Sequence, residues 1–197
     1  MTSAQRGPGG QEAFVFVGGC PSLDLVATLG RRHASPVERI PDADTLSRWF
    51  VEQGLLTDPP PATDRDLDRA RRLREAISAI VRSSMGGAAA GAEPLGVVNE
   101  FAALADLPPR LAAGTDGRVV TAPSAGSPSQ ALATIARDAA RLLGGPRATR
   151  IKECAHPDCS LVFLDETQSG RRRWCSMDRC GNLVKIKGYR ERRGRQS

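Results

Sequence analysis

Four of the chain's five cysteines fall within 27 residues, as Cys154-x4-Cys159, then fifteen residues, then Cys175-x4-Cys180. Zinc takes four tetrahedral ligands and binds thiolates well. A short loop curls each pair of sulfurs onto one metal, and the stretch between the pairs must turn back to unite them. Gaps of two to four within pairs and about fifteen to twenty between them suit such sites. The spacing predicts one structural zinc on Cys154, Cys159, Cys175 and Cys180. Four bound sulfurs leave no open coordination position, so the expected role is architectural and not metal catalysis. Binding of this kind contributes about 10–16 kcal/mol in small zinc peptides near neutral pH, so a module this size should need the metal to fold. Two disulfides are the alternative, disfavoured by a reducing cytosol and the absence of a visible signal peptide. A redox pair would call for Cys-x-x-Cys in a βαβ setting, which is absent. His156 is a substitute ligand at hand, expected instead to face solvent from the first loop.

The intervening residues supply elements to hold these ligands. Leu161 to Leu164 is an apolar run suited to a strand. Residues 168–170, Gln-Ser-Gly, are turn chemistry. Residues 171–174 are expected to return as a second strand and deliver Cys175. A helix should open at residues 177–180 and run over 181–193 with Cys180 in its first turn. A knuckle, a hairpin and a helix carrying the last ligand make a treble-clef-like finger.

Charge concentrates on the same module. From Arg171 onward there are ten Lys or Arg against two acids, a net of +8 where the whole chain carries +6. The preceding 170 residues are therefore slightly acidic, and the basic character is local. Such a patch is the electrostatic footprint of phosphate binding. Leu183, Ile186 and Tyr189 would form the inward stripe of the helix. The candidate nucleic-acid contacts are then Arg171, Arg172 and Arg173 from the hairpin, with Lys185, Lys187, Arg190, Arg192 and Arg193 from the helix. A solvated tail, or a surface that pairs with the acidic part of the chain, is the plainer alternative.

The stretch RRRWCSMDRCGNLVK resembles the CGNR zinc finger, a small bacterial C-terminal module. The likeness covers about 45 residues and rests on Cys154, Cys159, Phe163, Asp165, Arg172, Arg173, Trp174, Cys175, Ser176, Met177, Cys180, Gly181, Asn182 and Lys185. Leu183 stands where the family's name-giving Arg would be, so that contact is lost or supplied by Lys185 or Lys187. Residues further upstream are similar to the ABATE-like domain that precedes this finger in the family: Phe16-Val17-Gly18-Gly19, Leu23-Asp24-Leu25-Val26 with Thr28, and Leu73-Arg74-Glu75-Ala76. Ala27 replaces the Asn of that pattern. The resemblance implies a stress-related transcription regulator.

The rest of the chain reads as a mostly helical domain. Residues 1–11 are small and polar, a disordered start. Residues 14–17 are an apolar run, a short strand or extended segment ended by Gly18-Gly19. Cys20 reads as a small buried hydrophobe. A helix opens near Leu23 with Asp24 favoured by the dipole. Asp42 or Asp44 caps a second, burying Leu46, Trp49 and Phe50. Residues 64–82 make the clearest helix, with Leu67, Ala70, Leu73, Ile77, Ile80 and Val81 inward and arginines outward. Residues 86–92 form a flexible link before a helix at 95–105. A β-hairpin turns at Asp116-Gly117. Ser127-Pro128 opens a last helix, stopped by Gly144-Gly145-Pro146. A short strand at 150–153 leads directly to Cys154, so the finger should dock on the domain.

The predicted fold class is α+β, mainly α: a disordered start (1–11), a helical domain with a β-hairpin (12–148), and a treble-clef-like zinc finger with a basic helix (149–197). No apolar run approaches the ~20 residues a membrane span needs. Only His33 and His156 are available as histidines, and nucleophile, Walker and dinucleotide motifs are absent, so no enzyme is expected. The leading reading is a cytoplasmic, nucleoid-associated regulator that binds double-stranded DNA. Its helical domain would sense a small-molecule effector or form a homodimer. The alternative is an RNA-associated or protein-interaction module in which the finger is purely structural.

Overall fold

A computed structural model of the chain describes residues 14–182. Its core is built from helices α1 (Pro21–Val26), α2 (Ala43–Glu52), α3 (Asp64–Met85), α4 (Ala92–Ala102) and α5 (Pro128–Leu143). Local chemistry starts the longest two. Thr63 and Asp66 form a reciprocal capping box ahead of α3, and Ser127 and Gln130 form one ahead of α5, with Pro128 in its first turn. Asp42 caps α2, its carboxylate accepting from the Thr45 amide at 2.7 Å. The apolar stripe of α3 (Leu67, Ala70, Leu73, Ile77, Ile80, Val81) is buried. It faces Leu132, Ile135, Ala136, Ala139 and Leu142 of α5, Val97, Val98 and Phe101 of α4, and Leu46, Trp49 and Phe50 of α2 in one cluster. Each large side chain there contributes about 1.5–3 kcal/mol by leaving water.

Helix α4 lies three residues earlier than 95–105 at both ends. Pro94 falls in its first turn, where no amide bond is required, so it does not break the helix. Beyond it, the Leu107 amide turns to the Thr134 hydroxyl of α5 at 3.0 Å. The arginine face of α3 also departs from expectation, because Arg74 is 4% exposed. Its guanidinium donates to Glu38 at 2.8 Å, to Thr28 at 3.1 Å and to Glu75 at 2.8 Å. Glu38 is held there by a two-residue antiparallel pairing that sequence periodicity cannot reveal, β1 (Leu29–Gly30) with β2 (Val37–Glu38).

The hairpin β3 (Arg110–Ala113) with β4 (Val119–Ala122) forms as expected, with Gly117 at φ +77 in its turn. It projects into solvent, leaving Leu111 74% and Val119 71% exposed.

The finger begins at β5 (Ile151–Glu153), which pairs antiparallel with β6 (Val162–Leu164). This corrects the expected hairpin, since residues 171–174 form no strand. Asp165 decides the matter. Its buried carboxylate takes the Arg172 amide at 3.0 Å and the Thr167 amide at 3.1 Å, so a side chain and not a ladder positions the returning chain. One backbone bond, Ala155 amide to Arg173 carbonyl at 2.9 Å, ties the return to the first loop.

The finger docks on the helices. Ile151, Val162 and Leu164 belong to the helical core cluster, while Val15 and Ala27 join Cys154, Leu161, Phe163, Cys175 and Cys180 in a second. Among the described residues no helix is long and apolar enough to cross a membrane.

Candidate zinc centre and basic groove

Cys154 leaves the end of β5, its amide still bonded to the Leu161 carbonyl at 2.9 Å. Cys159 closes the loop between the strands, its amide bonded to the His156 carbonyl at 2.9 Å. His156 itself turns aside, with Nδ1 accepting from the Asp158 amide at 3.2 Å. Cys175 and Cys180 come from the far side. Ser176 caps a single π-type turn (Met177–Gly181), accepting from the Arg179 amide at 3.0 Å, and that turn carries Cys180.

All four sulfurs lie within 4.8 Å of one another. The Cys159–Cys175 and Cys175–Cys180 Sγ separations are 3.9 and 3.6 Å. Zinc–sulfur bonds of about 2.3 Å at tetrahedral angles set neighbouring sulfurs about 3.8 Å apart, so these thiols fit one ion. Disulfide sulfurs would sit about 2.05 Å apart in two separate pairs, which this four-way cluster is not. The Cys175 amide points at Cys154 Sγ from 3.4 Å, outer support of the kind that orients a thiolate ligand. The hydrogen bond shared with Cys175 favours the Cys159 thiolate and lowers its pKa, while the same contact raises that of Cys175 and burial raises that of Cys180. The crowded cluster thus resists carrying four negative charges on its own, and a dication resolves that conflict. The protein has one structural zinc site, formed by Cys154, Cys159, Cys175 and Cys180.

Asp165 holds the frame around the site. It is fully buried and accepts from Lys152 Nζ at 2.7 Å and the Thr167 hydroxyl at 2.6 Å. The Lys152 bond, with those from Thr167 and Arg172, holds its carboxyl well below the usual carboxylate range. Lys152 also donates to the Gly170 carbonyl in the turn.

The three successive arginines do different things. The Arg172 guanidinium lies 4.3 Å over the Phe163 ring, donates to the Trp174 carbonyl at 3.0 Å and reaches the Cys175 carbonyl. Arg171 and Arg173 are exposed, and Arg173 sits 5.2 Å over the Trp174 ring. Together Arg171, Arg172, Arg173, Trp174 and Met177 line a groove of about 320 Å³. Gly181 makes one wall fit, since a Cβ there would meet Met177 Sδ at 2.5 Å. Of the candidate nucleic-acid contacts, these three arginines are brought together, while Lys185, Lys187, Arg190, Arg192 and Arg193 lie outside the described residues. Met177, 43% exposed beside the arginines, is a groove residue that charge counting alone does not single out.

Further expectations concern Asp24, Cys20 and His33 upstream. Asp24 is 5% exposed inside α1 and accepts from the Gly18 amide at 2.7 Å, so it is more than a helix-end carboxylate. Burial pushes its carboxyl up to about 6. Cys20 is half-buried, 3.3 Å from the Ser22 hydroxyl, and burial raises its thiol to about 11. His33 is a surface residue, paired with Glu153 at 2.8 Å.

Comparison with known families gives two matches. The ABATE model, described as "Putative stress-induced transcription regulator", matches residues 19–146, and the CGNR zinc finger model matches residues 150–193. No curated protein matches the chain.

Proposed function

The chain belongs to the ABATE family and carries a CGNR zinc finger, and from that premise we propose that it is a regulator of transcription that binds double-stranded DNA through its finger. The groove beside the zinc site is the observation that carries this reading. Arg171 and Arg173 stand exposed at it, and Trp174 and Met177 add apolar surface to its lining. Cations free to meet phosphates, on a frame stiffened by a metal, suit straddling a nucleic-acid backbone. The basic residues from Lys185 onward add charge of the same sign to the same module. The slightly acidic helical domain is the part that would respond to an effector or pair with a second subunit. Its core runs into the finger through Ile151, Val162 and Leu164, so a change in one part can reach the other.

Titration of the zinc-loaded protein with duplex DNA across a range of salt tests the reading. The logarithm of the binding constant should fall by about 0.9 per neutralised phosphate per decade of salt. Replacing Arg171 and Arg173 by Ala should flatten that slope. Absence of salt-sensitive binding by a fully zinc-loaded protein would favour a finger that serves protein interaction instead.

A further inference from the structure

Residues 14–17 run between the two cores outside any helix or strand, and the chain bends at Gly18. Successive side chains meet different partners. Val15, 4% exposed, packs in the cluster formed by Cys154, Cys175, Cys180, Leu161 and Phe163, and Val17 packs at the edge of that cluster. Phe14 packs on the helical core, and the Phe16 ring lies 6.2 Å from Trp49 of α2. The end of the segment is fastened twice. The Gly18 carbonyl accepts from the Leu164 amide of β6 at 2.8 Å, and the Gly18 amide donates to Asp24 of α1 at 2.7 Å. A side chain at Gly18 would clash with Leu23, whose Cβ lies 2.6 Å from the position a Cβ would take, and Gly19 turns the chain at φ +87.

We propose that residues 14–18 couple occupancy of the zinc site to the packing of the helical domain. This deepens the reading above by naming how the finger is regulated, and rests on it only for that meaning. Without metal, nothing ties together the four sulfurs that two separate loops bring to one point, so the cluster into which Val15 packs loosens and the segment loses one of its two attachments. A disturbance at the Phe16–Trp49 contact travels the other way and weakens zinc retention, because coupling between two sites is reciprocal.

The test uses the full chain, zinc-loaded and after stripping with a chelator, and needs no DNA. Hydrogen exchange in residues 14–20 and 162–165 should rise on stripping, while residues 132–139 of α5 stay protected. Chelator-driven zinc release should be roughly tenfold faster in Val15→Ala. It should also be faster in Phe16→Ala, whose side chain meets α2, and unchanged in Leu111→Ala on the remote hairpin. Unchanged exchange in residues 14–20 on stripping would overturn the proposal, as would wild-type release by Phe16→Ala. Simultaneous loss of protection in α5 would also overturn it, since the metal would then hold the whole fold and not this link. Should Val15→Ala fail to fold, exchange in the unaltered protein still decides. Failure to bind DNA would count against the proposed function and leave these measurements intact.

Discussion

The run Arg171-Arg172-Arg173 offers a sharp test because its members are chemically alike and structurally different. Arg172 makes two charged hydrogen bonds, to the Trp174 and Cys175 carbonyls, and covers the Phe163 ring at 4.3 Å. A hydrogen bond to a charged group is worth about 1.5–3 kcal/mol and a cation–π contact about 0.5–2 kcal/mol. These terms overlap, so Arg172→Ala should cost about 2–4 kcal/mol of stability. Arg172→Lys should recover little of it, because an ammonium cannot bridge two carbonyls and stack on a ring together. Arg171→Ala should cost under about 0.5 kcal/mol, and Arg173→Ala about 1 kcal/mol, chiefly from its place over Trp174. DNA titration over salt reads the opposite ranking. The Arg171/Arg173 double variant should lower the slope by about 1.8, two phosphates at 0.9 each. Arg172→Ala should weaken binding with its slope intact. A stable Arg172→Ala protein with a reduced slope would refute the division of labour among the three.

Cys175→Ser should lose its zinc equivalent in a metal assay and open the finger to protease, while far-UV circular dichroism retains the helices of the domain. Asp24 makes stability depend on pH in an unusual direction: its folded pKa of about 6 lies above the ordinary 3.8, so the folded protein binds the proton more tightly. Its contribution therefore improves as pH falls from about 6 towards 4, and ionisation at pH 7 costs on the order of 2–3 kcal/mol. The difference in urea stability between Asp24→Asn and the parent should accordingly be largest above pH 6 and shrink in acid. Arg74→Ala removes a buried guanidinium from Glu38 and Glu75, which are 27% and 49% exposed and keep Arg71 and Arg32, so it should cost about 1–3 kcal/mol by chemical denaturation, chiefly for its lost hydrogen bonds. Leu111→Ser with Val119→Thr, at side chains 74% and 71% exposed, should leave the melting temperature within a degree or two.

Features set by neighbours in the chain were legible from the sequence alone. The cysteine gaps place four ligands through local loops, Ser127-Pro128 and Asp42 act within a single turn, and Asp116-Gly117 needs only its own backbone angles. Features set by remote partners were not. The strand partner of Val162–Leu164 depends on which chain reaches it, and Asp165 holds residues 171–174 out of a ladder. Arg74 and Asp24 look like surface charges until Glu38, Thr28 and Gly18 are found beside them. Likewise, three arginines in a row read as one patch, and only Phe163 and two carbonyls separate the middle one from its neighbours.

Ile151, Val162 and Leu164, 6%, 1% and 1% exposed, look away from the metal and into the helices. A fragment excised at residue 150 would keep its ligands and still present three wet apolar side chains, so it should be sticky even when fully metallated. Grafting this finger onto another protein would mean carrying the receiving surface of α1 and α3 with it. Insertions and deletions should accordingly be rare between Pro146 and Ile151, where a change of length would pull the finger off its seat.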